Sequence, residues 1–104
     1  MLIINTTYHA SAAVYDSFVE WLCCEYIPEA KRDGTLKWPR LTRVLDGSKG
    51  EDGYSYALQF YVDSVNAFNT WYTRTGIGLH KEMNRRFGRD VVGFSTWMEE
   101  IDTD

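Results

Sequence analysis

The stretch YSYALQFYV, residues 54–62, decides the fold because its residues alternate between two faces. One face carries large apolar side chains: Tyr54, Tyr56, Leu58, Phe60 and Val62. The other face carries Ser55, Ala57, Gln59 and Tyr61. A period of two residues is typical of a β-strand that has one face in a hydrophobic core.

A helix is predicted to follow this strand directly. Asp63 or Ser64 is a suitable N-cap, and apolar residues recur at helical spacing: Val65, Phe68, Tyr72, Leu79, Met83 and Phe87. The two glycines of TGIG, residues 75–78, predict a kink or a break, because glycine is a poor helix former. Gly88 predicts the end of the helix, and DVVGFSTWMEE, residues 90–100, predicts a last strand.

The segments before residue 54 repeat this order of elements. Residues 1–9 alternate like a strand, and Ser11 is the predicted N-cap of a helix that Pro28 is predicted to end. Residues 35–45 predict a strand that is bulged or lies at a sheet edge, because Pro39 cannot donate a ladder hydrogen bond.

The order strand, helix, strand, strand, helix, strand predicts one domain over residues 1–104 with a ferredoxin-like α+β fold. Right-handed crossovers place both helices on one face of a four-stranded antiparallel sheet. The other sheet face then lies exposed with several apolar side chains. Because such a face usually finds a partner, we expect a homodimer with its sheets face to face and a barrel-like cavity between them.

Composition and charge narrow the classes of partner. A net charge of −4 argues against nucleic acid, which requires a basic patch. No apolar run approaches the ~20 residues of a membrane span, and the N-terminus has no signal-peptide core. The sequence therefore predicts a cytoplasmic protein that binds neither nucleic acid nor a membrane.

Both cysteines stand side by side in WLCCEY, residues 21–26. A disulfide between Cys23 and Cys24 would be strained, because adjacent Cα atoms are closer than disulfide geometry prefers. His9 and His80 are the only other soft ligands, and neither has a zinc-binding spacing from the cysteines. We therefore expect a surface or interface pair, without a metal and without a cofactor.

Several stretches together resemble a known family over nearly the whole chain: NTT, VYDSFVEWL, YIPE, DGTL, LTRVL, YSYALQF and LHKEMNRRFGRDVVGFST. They are similar to the bacterial domain of unknown function 4286. The resemblance implies a fold related to the dimeric α+β barrels, a superfamily that includes cofactor-independent monooxygenases, muconolactone isomerases and haem-degrading enzymes. It implies no catalytic residues. Members often carry a histidine before the IP of YIPE, where this chain has Tyr26.

Candidate site residues come from the strands and the first helix. For proton transfer the candidates are His9, Glu25 and Tyr61. For ligand binding they are Asn5, Thr7, Arg43, Gln59 and Trp38. Each has a structural alternative: His9 as a solvent-exposed strand end, Arg43 in an ion pair, Glu25 reaching solvent, and Trp38, Trp71 and Trp97 as core or interface residues. His80 reads as a surface residue.

Three functions remain open from the sequence. The first is a dimer that binds a small, partly apolar molecule without catalysis. The second is a cofactor-independent enzyme, monooxygenase-like or isomerase-like, acting on such a molecule. The third is a structural or regulatory module that binds a partner protein, which would leave a large apolar patch after dimerisation.

Overall fold

The computed structural model describes residues 1–47 and 49–103, and within them it contains one four-stranded antiparallel sheet. The strands are β1 Leu2–Ala10, β2 Lys37–Arg43, β3 Tyr54–Val62 and β4 Val91–Glu99. Their order is β2-β3-β1-β4. This order, with helical segments after β1 and after β3, confirms the predicted ferredoxin-like α+β fold.

Each crossover contains two α-helical segments joined by a π-helical turn. The first contains α1 Tyr15–Trp21, the π turn Leu22–Tyr26 and α2 Ile27–Ala30. The second contains α3 Val65–Trp71, the π turn Tyr72–Gly76 and α4 Ile77–Phe87, followed by a 3₁₀ turn at Gly88–Asp90. The backbone N–H of Ile27 donates to the Leu22 carbonyl and that of Ile77 to the Tyr72 carbonyl, so each bond spans five residues.

Two predictions for the first helix were wrong. Pro28 does not end it, because the proline lies in the first turn of α2, where a missing N–H is tolerated. Ser11 does not cap it through its side chain. Its hydroxyl donates instead to Asp90 Oδ1 (3.0 Å), and only its carbonyl accepts from the N–H groups of Val14 and Tyr15.

The predictions for the second helix agree better with the structure. Ser64 is the N-cap, and its Oγ accepts a hydrogen bond from the Ala67 N–H at 3.0 Å. The irregularity predicted at TGIG is present, but it is a π turn and the chain stays helical on both sides. Gly88 ends α4 with a φ of 53°, which glycine adopts readily.

The core lies between one sheet face and the helices. Phe18, Leu22 and Val62 are its largest fully buried side chains. The alternation predicted for β3 is confirmed, because Tyr56, Leu58, Phe60 and Val62 are all buried. On β1, Ile4 and Tyr8 are buried on the same face, opposite Phe60 and Tyr56.

The second sheet face carries no helix and remains open. Val92 and Phe94 of β4 are 60% and 65% exposed, which is high for such large apolar side chains. The edge strand β2 has a register shift between Lys37 and Arg40, as Pro39 predicts. Trp38 lies in this bulge with a φ of 52°, and its ring contacts Tyr61.

Candidate functional site

A cavity of about 460 Å³ lies between the sheet and the helices. Its inner walls are buried apolar side chains from three strands and both crossovers. They include Ile4, Leu36, Leu58, Phe60, Trp71 and Met83. This volume falls in the ~300–1,000 Å³ range typical of sites for small molecules.

The aromatic part of the wall is held in place by specific contacts. The Trp71 indole N–H donates to the Ala30 carbonyl at 2.9 Å, which fixes α3 to the end of α2. Phe68 packs between the rings of Trp71 and Trp97, with centroids 5.4 Å and 5.1 Å away. The cavity therefore presents flat aromatic surfaces in defined positions.

The cavity opens beside β4, an edge strand of the sheet. Six of its lining residues there are exposed: Val92, Gly93, Phe94 and Ser95 on β4, and His80 and Asn84 on α4. A Cβ atom at Gly93 would lie 2.8 Å from Tyr8 Cδ1, so the absence of a side chain leaves room for the Tyr8 ring. The mouth therefore combines the polar side chains of Ser95, His80 and Asn84 with the apolar residues Val92 and Phe94.

Four residues with hydroxyl groups lie along the cavity wall. Ser95 Oγ lies 3.0 Å from Thr6 Oγ1, Thr6 interacts with the Tyr8 hydroxyl, and Tyr8 interacts with the Tyr26 hydroxyl. All four residues line the cavity.

Burial raises the pKa of the Tyr8 phenol well above its ordinary value, and the neighbouring Tyr26 phenol raises it further. Burial also raises the pKa of Tyr26, while the hydrogen bond from Tyr8 lowers it. Both phenols therefore stay protonated at neutral pH and act through their hydrogen bonds rather than as anions.

The two π turns place residues at the cavity from both crossovers. Tyr26 ends the first π turn, and Tyr72 and Gly76 begin and end the second. All three line the cavity. A π turn inserts one residue into a helical turn and is frequent at functional sites.

Most of the sequence-predicted site residues lie away from this cavity, on the open face of the sheet. They are Asn5, Thr7, His9, Gln59 and Tyr61, which alternate with the core residues of β1 and β3. Asn5 donates to Thr7 Oγ1 at 3.2 Å, while its buried Oδ1 has no partner among the described residues. Whether this face binds a ligand stays a prediction.

Two proton-transfer candidates on that face are already engaged. His9 Nε2 donates to the Asp52 carbonyl at 2.8 Å, and Nδ1 lies 3.1 Å from Ser55 Oγ. The Tyr61 hydroxyl donates to Glu100 at 2.9 Å. That bond is the main reason why the pKa of Tyr61 is raised.

The remaining candidates are also separate from the cavity. Glu25 is exposed on the first π turn and lies 3.5 Å from Arg86. The Arg43 guanidinium stacks over the Tyr54 ring, 4.5 Å from its centroid. Trp38 is 62% exposed beside Tyr61.

His80, unlike the selected candidates, lies at the cavity. The sequence presents it as a surface residue, and the structure finds it both exposed and at the mouth of the cavity. Thr6 and Tyr8 are further cavity residues that were not selected from the sequence. The sequence pattern that could have identified them is a hydroxyl group on the apolar face of a strand. A polar group on a core face is more informative than one on an exposed face.

Cys23 and Cys24 are both exposed and free. Within residues 1–47 and 49–103, no three His, Cys, Asp or Glu side chains are grouped as a metal site would require. In the same part of the chain no helix has the length and apolarity needed to cross a membrane.

Comparison with solved structures supports the fold. HapK from Hahella chejuensis is 15% identical over 100% of this chain and 96% of its own, with a TM-score of 0.74. A Deinococcus radiodurans protein whose name proposes an antibiotic biosynthesis monooxygenase is 17% identical, over 100% of this chain and 96% of its own, with a TM-score of 0.71. At these identities the likeness shows the fold alone.

A third neighbour is a dimeric ferredoxin-like protein from an uncultured marine organism. It is 12% identical over 96% of this chain and 97% of its own, with a TM-score of 0.60. No curated protein matches the sequence. The model of the family described as domain of unknown function DUF4286 matches residues 1–101, so the chain belongs to that family.

Proposed function

We propose that this member of the DUF4286 family binds a neutral, largely apolar molecule that contains an aromatic ring, in the cavity between sheet and helices. The observation that carries this proposal is the character of the cavity wall. The wall combines aromatic surfaces from Phe60, Phe68 and Trp71 with hydroxyl groups, and no Asp, Glu, Lys or Arg lines it among the described residues.

The lack of charge in the lining sets the class of ligand. A charged molecule entering this space would lose its hydration without gaining an opposite charge, which is strongly unfavourable. An aromatic molecule instead gains apolar burial and offset or edge contacts with the ring walls. At the mouth, His80 and Asn84 can accommodate one polar substituent.

Binding of naphthalene and of 2-naphthoate tests this proposal directly. The two probes share a ring system and differ in one negative charge. We expect saturable binding of naphthalene in a fluorescence titration, and binding of 2-naphthoate about tenfold or more weaker because its charge is desolvated. Equal or tighter binding of 2-naphthoate would contradict the proposed ligand class.

Two substitutions of Met83 locate the binding. Met83 is buried on α4 and faces the cavity. Met83→Trp fills cavity space and is expected to abolish naphthalene binding, whereas the volume-conserving Met83→Leu retains it. His80→Trp provides a second blocking variant at an exposed position, where folding is not at risk. Binding that survives both tryptophan variants would place the site elsewhere.

A second candidate function is a cofactor-independent, isomerase-like enzyme. The observation that favours it is that His80 and Tyr26 line the same cavity and so supply a possible base and a hydrogen-bond donor. Exchange of the methyl protons of 2-acetonaphthone in D₂O, followed by NMR, tests this reaction. Accelerated exchange that is lost in His80→Gln supports the enzyme, and exchange at the buffer rate leaves binding alone.

We propose that the protein forms a homodimer in which the open sheet faces of the two copies are in contact. Exposed apolar residues on this face support the arrangement, among them Phe94, Val92 and Trp38. A dimeric ferredoxin-like structure with the same fold is also consistent with it. Covering these side chains would remove them from water, which is the usual fate of such a patch.

A further inference from the structure

Two polar side chains of α4 lie at the cavity mouth without partners. His80 and Asn84 both line the cavity and are exposed. Among the residues that the structure describes, neither side chain makes a hydrogen bond or an ion pair. The same stretch of helix is otherwise well paired, because Glu82 accepts from Arg85 at 2.9 Å and from Arg86 at 2.6 Å. The donors and acceptors of His80 and Asn84 are therefore available to a ligand.

Helix geometry places both side chains on one side of the mouth. Residues four apart in an α-helix are neighbours on its surface, with Cβ atoms about 5–6 Å apart. Met83, which lies between them in the sequence, is buried and lines the same cavity. This face of α4 thus runs from an apolar interior at Met83 to a pair of polar side chains at the mouth.

The opposite side of the mouth, on β4, offers little to a polar group. Val92 and Phe94 are apolar, and Gly93 has no side chain. The Ser95 hydroxyl lies 3.0 Å from Thr6 Oγ1 and so already has a partner. A ligand with its ring in the apolar interior would therefore turn a polar substituent toward α4.

The chemistry of His80 and Asn84 selects the substituent. A neutral histidine ring has one N–H donor and one nitrogen acceptor, and the asparagine amide also both donates and accepts. A carboxamide carries a donor and an acceptor on neighbouring atoms, so it can bond to two side chains that are one helical turn apart. A carboxylic acid has a similar shape but ionises at neutral pH, and no Lys or Arg lines the cavity among the described residues.

We propose that His80 and Asn84 together bind a carboxamide on the aromatic ligand, one donating to its carbonyl oxygen and the other accepting from its N–H group. The proposal rests on the proposed function and narrows its ligand class to neutral aromatic carboxamides. His80 and Asn84 are then specificity-determining residues, because a ligand without the carboxamide loses both hydrogen bonds and keeps its ring contacts.

Three naphthalene derivatives of nearly equal shape measure the two bonds. 2-Naphthamide carries a donor and an acceptor, 2-acetonaphthone only the acceptor, and 2-isopropenylnaphthalene neither. Each is titrated against wild type, His80→Leu and Asn84→Leu. The ratio of the variant Kd to the wild-type Kd removes the differences in hydrophobicity between the ligands. Loss of one ordinary net hydrogen bond corresponds to about a fivefold increase in Kd.

2-Naphthamide is expected to bind about fivefold more weakly to both variants. 2-Acetonaphthone should bind more weakly only to the variant that lacks the donor, and 2-isopropenylnaphthalene should bind both variants at least as tightly as wild type. An unchanged affinity for 2-naphthamide in either variant overturns the proposal. An equal loss for all three ligands also overturns it, because such a loss reports a change in cavity shape.

Asn69→Leu is the matched control. Asn69 is exposed on α3 and lies outside the cavity lining, so all three affinities should stay at their wild-type values. Weaker binding of 2-naphthamide to Asn69→Leu would place the carboxamide elsewhere and overturn the proposal. Wild-type protein that binds none of the three ligands refutes the proposed function itself. Binding of all three that both the His80 and Asn84 substitutions leave unchanged refutes only the role of these two residues.

Discussion

At the scale of single residues, two glycines in the second helix have opposite roles although only Ile77 separates them. Gly76 is buried in the π turn, where a Cβ would lie 2.6 Å from both Trp71 Cζ3 and Tyr72 Cδ2. Gly78 has nothing within 4 Å of its ideal Cβ position. Gly76 is therefore required by the close approach of two aromatic rings, whereas Gly78 only weakens the helix.

Alanine substitutions should separate these roles. Gly78→Ala is expected to raise the free energy of unfolding by about 0.5–1 kcal/mol through helix propensity. Gly76→Ala should lower it by about 1–3 kcal/mol through overpacking against the rings. Urea denaturation measures both values, and a stabilised Gly76→Ala would mean that the rings move aside without cost.

The buried Tyr8 phenol makes a prediction for alkaline pH. The folded-state pKa of Tyr8 is raised above its ordinary value of 10.0. The contribution of the Tyr8 phenol to the free energy of unfolding is thus fully present below pH 10.0. It is lost as the pH rises further, because the unfolded chain releases the phenol proton before the folded chain does. One such group makes the free energy of unfolding fall by up to about 1.4 kcal/mol per pH unit. Tyr8→Phe should flatten this slope above pH 10.0, and an unchanged slope would contradict the assignment.

At the scale of elements, the strands were more predictable than the helices. Alternation in residues 54–62 gives a strand with the bounds found in the structure, because polarity with a period of two has one interpretation at this length. A helical projection assumes a constant rotation per residue, and the π turns change that rotation. Glu25 therefore projects onto the apolar side in an ideal α-helix but is exposed in the structure.

The predictable part of the site follows the same division. Thr6 and Tyr8 could be assigned to the core side of β1 from alternation alone. Their approach to Tyr26 and Ser95 could not, because it depends on the π turn and on the pairing of β1 with β4. Contacts between residues far apart in sequence carry no local pattern.

The start of the second helix offers a test at this scale. Sequence alone allowed Asp63 or Ser64 as the cap, and the structure assigns the bond to Ser64. Ser64→Ala should lower the free energy of unfolding by about 1 kcal/mol because the Ala67 N–H loses its acceptor. Asp63 instead pairs with Lys37 at the surface, so Asp63→Ala should change stability by less than about 0.5 kcal/mol. A larger effect of Asp63→Ala in thermal and urea unfolding would reverse the assignment.

At the scale of the whole molecule, the two sheet faces differ in what covers them. Helices cover one face and leave a cavity there, while the other face exposes apolar residues of β4 beside polar residues of β1 and β3. The sequence predicts this division because the helices can cover only one side. A molecule that covered the open face would be selected by its own surface, so no local pattern of this sequence identifies it.

Phe94 provides the test of the proposed homodimer. It is 65% exposed on the open face of β4, where it pairs with Thr7 of β1. Wild-type protein is expected to sediment at twice the chain mass of 12.1 kDa at micromolar concentration. Phe94→Asp should sediment as a monomer, because an interface between two copies would place a carboxylate from each copy in a buried apolar patch. Val65→Asp, on the exposed side of α3, is the control and should remain dimeric. A monomeric wild type would refute the dimer, and loss of the dimer in Val65→Asp would place the interface on the helices.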